Sequence, residues 1–204
     1  MLRVIRWCAV GLIVVLGGLW AGAWWDGLEH GPVPAATGMP GSVSIGGPFT
    51  LTDTTGKTVT EADFRGRWML IYFGYTFCPD VCPTELQAMA ASLDQLGPLA
   101  TQIRPVFITV DPQRDTPTAL ADYVKLFDDR LVGLTGTSAQ IAAVAKAYRV
   151  YFARVDAKAG DAYLMDHSSF LYLMGPDGKL RQLIKPGLAG PELAGAIRAV
   201  MVGS

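Results

Sequence analysis

The chain has 204 residues, with 17 Lys and Arg against 18 Asp and Glu, so its formal net charge is −1 at pH 7. No basic stripe or Lys/Arg-rich tract is present, which argues against a nucleic acid partner. Apolar residues are plentiful throughout, which excludes disorder beyond a short linker, and with the apolar N-terminus set aside roughly 160 residues remain, enough for one domain with a full core.

Residues 1–25 open with Arg3 and Arg6 and continue as an uncharged stretch from Trp7 to Trp25, followed by Asp26 and Glu29. A helix of about 20 apolar residues spans a bilayer core, and flanking arginines stay on the cytoplasmic side. The pattern predicts a single N-terminal transmembrane helix, with Trp20, Trp24 and Trp25 at the outer interface. The alternative is a cleaved signal peptide, since Ala21-Gly22-Ala23 has the small-x-small form of a cleavage site. Both readings export the rest of the chain to the periplasm or an equivalent compartment, the first leaving it anchored to the inner membrane. Cys8, inside the apolar stretch, reads as a small apolar residue. Residues 26–42, with Gly31-Pro32-Val33-Pro34, Gly38, Pro40 and Gly41, form a linker; His30 and Met39 within it are bystanders. The domain proper is 43–204.

Within the domain, Phe49–Thr52 and Lys57–Thr60 read as strands around the turn Asp53–Gly56. The nearly continuous apolar run Trp68–Tyr75 is the pattern of a buried parallel strand. Pro83–Leu96 predicts a helix stopped by Gly97-Pro98, starting at Pro83 with Cys82 at the cap and Glu85 in its first turn. Arg104–Val110 is a second apolar strand, Thr116–Phe127 a helix with Pro117 in its first turn, and Leu131–Leu134 a short strand. Ser138–Tyr148 is a helix capped by Thr137 or Ser138. Ser169–Met174 and Leu180–Ile184 make a hairpin around Pro176-Asp177-Gly178, and Pro191–Met201 closes with a helix. Strands alternating with helices give an α/β sandwich. A thiol pair at the end of its first long strand places it with the thioredoxin-like (peroxiredoxin-like) folds.

Cys78 and Cys82 carry the chemistry. Side chains one helical turn apart have Cβ atoms about 5–6 Å apart, a spacing from which either a disulfide or a shared metal ion is within reach. A helix start also lowers thiol pKa. A structural staple is weakly motivated, because so short a loop removes little chain entropy. His167, just before the strand Ser169–Met174, is the only histidine in the domain. In thioredoxin-like folds the loop before that strand runs beside the active-site thiols, so two thiolates and one imidazole would converge. That set is poor for calcium or magnesium and incomplete for structural zinc. It suits copper, because thiolates select Cu(I) and imidazole accommodates Cu(I) and Cu(II). Asp111 and Asp166 are candidates to orient His167 or set local charge, although Asp111-Pro112 reads equally as a strand-end turn and Arg114-Asp115 as a pair leading into the next helix. Asp80 reads as a solvated turn residue, Met69, Met89, Met165 and Met174 as core, and Tyr72, Phe73, Tyr75 and Phe77 as core and pocket wall.

From Gly46 onward the chain resembles the Sco (SenC) copper chaperones of cytochrome oxidase assembly. The resemblance rests on Gly74-Tyr-Thr-Phe-Cys-Pro-Asp-Val-Cys-Pro83, Asp111-Pro-Gln-Arg-Asp-Thr-Pro117, Val132-Gly-Leu-Thr-Gly136, Ala147-Tyr-Arg-Val-Tyr151, Asp166-His167 and Gly175-Pro-Asp-Gly178. It implies a thioredoxin-like fold, one copper held by Cys78, Cys82 and His167, and a role in building the CuA centre of oxidase subunit II. A single N-terminal anchor fits the same plan. The family is also credited with thiol–disulfide work, with Cys78 and Cys82 as the reacting residues; Cys78 is the expected attacker and Cys82 the resolver. Copper binding needs both thiols reduced, so an exported thioredoxin-like reductant is an expected partner.

Overall fold

The structure, a computed structural model, describes residues 44–155 and 163–203. The predicted membrane helix and linker, with Cys8, His30 and Met39, lie outside these residues. Among the described residues no helix is long and apolar enough to cross a membrane.

The strand β3, Trp68–Gly74, is buried at every position. Successive side chains of a strand point to opposite faces, so a strand without an exposed residue lies in a sheet covered on both sides. It pairs in parallel with β4 (Ile103–Thr109), in the register Trp68↔Ile103 to Gly74↔Thr109. Such pairing needs a crossover, supplied by α1 (Val81–Leu96) and a 3-10 turn over Gly97–Gln102. From β4 the chain crosses through α2 (Pro117–Lys125) to the parallel strand β5 (Val132–Thr135). The N-terminal hairpin β1 (Thr50–Asp53) and β2 (Thr58–Thr60) adds antiparallel to β5. On the other side β8 (Leu171–Met174) and β9 (Leu180–Ile184) extend the sheet antiparallel to β3. The seven-stranded order is β2-β1-β5-β4-β3-β8-β9.

Helix ends follow local chemistry. Thr116 and Thr137 accept hydrogen bonds from Ala119 N and Gln140 N, capping α2 and α3 (Ser138–Tyr148). The last helix, α4 (Gly190–Val202), packs along α1. Gly190 permits the contact, because a Cβ there would sit 2.6 Å from Ala91 Cβ.

Two elements differ from the sequence reading. Helix α1 begins at Val81, before Pro83. The first N–H groups of a helix have no intrahelical partner, so a proline at its third position forfeits nothing. Glu85 therefore falls in the second turn, where it is buried and accepts a hydrogen bond from Gly187 N at 2.6 Å; burial pushes its carboxyl up. The second difference is a two-stranded antiparallel hairpin, β6 (Phe152–Val155) and β7 (Leu164–His167), outside the main sheet. His167 is the last residue of this hairpin and is not part of a loop.

Candidate metal centre

The site lies where β3 ends and α1 begins. The end of β3 is clamped to β4 by Val110 N donating to Gly74 O at 2.8 Å. Thr76 is then gripped by the buried carboxylate of Asp115, which accepts from Thr76 N at 3.0 Å and from the Thr76 hydroxyl at 2.6 Å. The Thr109 hydroxyl donates to the same carboxylate at 2.6 Å. Three charge-assisted hydrogen bonds on one buried group make this a stiff strut. Burial nevertheless pushes the Asp115 carboxyl up, against those bonds. Cys78 follows directly, its N–H donating to Tyr75 O at 3.3 Å.

At the head of α1, Asp80 occupies the cap position without a side-chain capping bond. Instead Cys78 Sγ accepts from Cys82 N at 3.4 Å, so sulfur caps this helix. The two cysteines are free thiols of unequal character. Cys82 is fully buried, Cys78 partly exposed. The Cys78 thiol is held down to about 3, chiefly by the hydrogen bond it accepts from the Cys82 thiol, with help from backbone N–H groups, against burial. Cys82 moves the opposite way, because it donates that bond and is buried. The two shifts run in opposite directions, so the pair titrates as a unit that favours thiolate on Cys78 and thiol on Cys82. Tyr72, kept protonated by burial, donates its hydroxyl toward Cys82 Sγ at 3.9 Å.

His167 arrives from the β6–β7 hairpin. Its Nδ1 lies 3.0 Å from Ser168 O. A carbonyl can only accept, so Nδ1 carries a proton, and in the neutral ring Nε2 is then the lone-pair nitrogen. Nε2 points at Cys82 Sγ, 3.5 Å away. Ser168 is itself fixed by two bonds to Tyr151: Ser168 N donates to Tyr151 O at 2.9 Å, and Tyr151 N to Ser168 Oγ at 3.1 Å. The imidazole is walled edge-on by Tyr72 and Tyr75, with ring centroids 6.2 and 5.9 Å away. Ligand atoms of Cys78, Cys82 and His167 all lie within 4.8 Å of one another. Soft sulfur and a correctly tautomerised imidazole form a donor set for a soft metal ion.

The structure reassigns the two carboxylates expected to orient His167. Asp166 is exposed, because side chains alternate along β7 and its neighbour faces the thiols. Asp111 instead binds Arg114 Nε at 2.5 Å and accepts from the Tyr163 hydroxyl at 2.9 Å. The orienting acceptor is the Ser168 carbonyl. Phe77, one of the four aromatics read from sequence as core and pocket wall, is 52% exposed. With Val81, Val155 and Leu164 it gives the site an apolar, solvent-facing margin. Met69, Met89 and Met174 are core residues, while Met165 lines the cleft beside Tyr75 and Cys78. Asp115, Ser168 and Tyr163 are not identifiable as site residues from the sequence. The Asp111–Pro117 segment stands out as a motif, but a carboxylate serving a loop 39 positions away leaves no local pattern.

The SCO1/SenC family model matches residues 37–202. The human protein SCO1 homolog, mitochondrial, is 44% identical over 163 residues, 79% of this chain and 54% of that protein. The match thus spans about half of that relative's length. Among solved structures, Arabidopsis thaliana ScoI with copper bound is 40% identical with a TM-score of 0.75, covering 79% of this chain and all (100%) of that one. Bradyrhizobium japonicum ScoI with copper bound is 44% identical with a TM-score of 0.71, covering 77% of this chain and 99% of that one. The fold is that of these thioredoxin-like α/β proteins, and the chain belongs to the SCO1/SenC family.

Proposed function

We propose that the domain is a copper chaperone that carries one copper ion on Cys78 Sγ, Cys82 Sγ and His167 Nε2. The observation behind this is the convergence of those three atoms within 4.8 Å, in a family with relatives solved with copper bound. Two sulfurs on one ion can stand at most about 4.6 Å apart, twice a metal–sulfur bond of about 2.3 Å, so small shifts complete the site. Copper is cargo here. Three protein ligands leave a coordination position at which an acceptor cysteine or histidine can attack, and the ion leaves by stepwise ligand exchange. The receiving site in this reading is the CuA centre of cytochrome c oxidase subunit II. Residues 1–25 serve as the inner-membrane anchor (or a signal peptide), 26–42 as the linker, and 43–204 as the domain presented to the periplasm or an equivalent compartment. The test is a copper titration of the reduced protein and its His167→Ala variant, with CuA content measured in cells that carry neither, or only one, of the two. Unchanged stoichiometry and spectrum in the variant would remove His167 from the ligand set.

The unequal thiols support a second reading, a membrane-tethered thiol–disulfide reductase. The Cys78 thiolate attacks a substrate disulfide, forming a mixed disulfide and releasing one substrate thiolate. Cys82 then gives up its proton and attacks the Cys78 sulfur. That closes the Cys78–Cys82 disulfide and frees the second substrate thiol. An exported thioredoxin-like reductant restores the dithiol. Reduction that survives His167→Ala while copper binding fails would separate the two activities.

A further inference from the structure

Arg114 lies outside the donor set, yet it touches both polypeptide segments that form it. Its Nε is held by Asp111 Oδ2 at 2.5 Å, which fixes the guanidinium at the end of β4. Its Nη1 donates to Tyr163 O at 2.9 Å, and its Cζ lies 3.7 Å from the Tyr163 ring centroid. Tyr163 immediately precedes β7, the strand that ends in His167. The Tyr163 hydroxyl returns to the other Asp111 oxygen at 2.9 Å, closing the cycle Asp111–Arg114–Tyr163. Arg154, on the partner strand β6, covers the same ring at 3.9 Å. On its other side Arg114 stands 4.8 Å from the ring of Phe77, the residue before Cys78, and 5.8 Å from the ring of Tyr75.

This hairpin lies outside the main sheet, so the sheet hydrogen bonds that fix β3 do not fix it. A two-stranded hairpin alone is marginal in water. Something else must hold it at a distance where Nε2 reaches Cys82. A guanidinium can do so, because it is always charged, planar, and able to stack and donate at once. We propose that Arg114 is a positioning residue, a latch that ties the His167-bearing hairpin to the cysteine turn and sets the imidazole–sulfur distance. This rests on reading Cys78, Cys82 and His167 as the copper ligands, and it adds a residue that acts on the metal through His167 alone.

The experiment uses the full chain with Arg114→Ala, and Arg114→Lys, which keeps the charge and loses the planar fork, should the alanine variant fail to fold. Cu(I) affinity is measured by chelator competition in wild-type and His167→Ala backgrounds. Backbone hydrogen exchange of Leu164–His167 is measured without metal. The expected result is a roughly ten-fold or greater loss of affinity on the wild-type background, no further loss on the His167→Ala background, and faster exchange in β7. Equal losses on both backgrounds would show a general structural effect and overturn the latch, as would unchanged exchange in β7. If His167→Ala alone leaves copper binding intact, the ligand reading fails, and the proposal that the latch acts on the metal through His167 fails with it. Exchange in β7 would then report only whether Arg114 holds the hairpin.

Discussion

Gly74 offers a direct measurement of how firmly the core holds Cys82. It is the last residue of β3, and a Cβ there would lie 2.8 Å from Phe107 Cε2, 2.9 Å from Cys82 Sγ and 3.1 Å from Tyr72 Cε1. Ordinary carbon contacts are about 3.5–4.0 Å, and these three neighbours are fully buried. Gly74→Ala therefore forces a shift in Cys82 or in the aromatic pair behind it. Overpacking costs about 1–3 kcal/mol, while replacing glycine by alanine in a strand returns about 0.5–1 kcal/mol. At the middle of both ranges, about 2 against about 0.75 kcal/mol, the net loss is about 1.3 kcal/mol, a fall in Tm of about 3–5 °C for a domain of this size. Displacing the sulfur should also weaken Cu(I) binding by about ten-fold. Gly195→Ala in α4 is the control, because its Cβ meets nothing within 4 Å; it should stabilise by about 0.8–1 kcal/mol and leave copper affinity alone. Thermal unfolding and chelator competition on the two variants supply the comparison. A Gly74→Ala protein that melts and binds like wild type would refute the claim that strand-end packing fixes the Cys82 sulfur.

Two further expectations follow from the site. Asp115→Ala leaves the Thr76 N–H and two threonine hydroxyls without their acceptor; at about 1–3 kcal/mol per orphaned group, eased by water, the variant should lose about 3 kcal/mol in urea denaturation, and a loss below about 1 kcal/mol would show that the strut contributes little. With its thiol held at about 3, Cys78 is a thiolate throughout pH 5–8, so its alkylation by iodoacetamide should be nearly flat over that range. Buried Cys82 should react only on unfolding. An alkylation rate rising ten-fold per pH unit would instead assign Cys78 an ordinary thiol.

Sequence alone determined those parts of the protein whose signals are local. The unbroken apolar run at Trp68 announces a strand buried on both faces, Thr116 and Thr137 announce helix starts, and Gly97 announces a stop. Together with the Cys78–Cys82 spacing and the family motifs, these were enough for the fold class and the three candidate ligands. Tertiary structure decided what local pattern cannot encode. The hairpin bearing His167 is made of two four-residue strands, Phe-Ala-Arg-Val and Leu-Met-Asp-His, in neither of which apolar and polar residues alternate, so it gives little periodicity to read. The helix start moved to Val81 because a sulfur from outside the helix acts as its cap. Asp166 stays exposed because strand geometry sends neighbouring side chains to opposite faces, leaving the orienting bond to the Ser168 carbonyl. The Asp115 strut and the Arg114 cycle join residues 39 and 49 positions apart. Such contacts depend on where the backbone brings distant segments together, and the chemistry of the site depends on them as much as on its three donors.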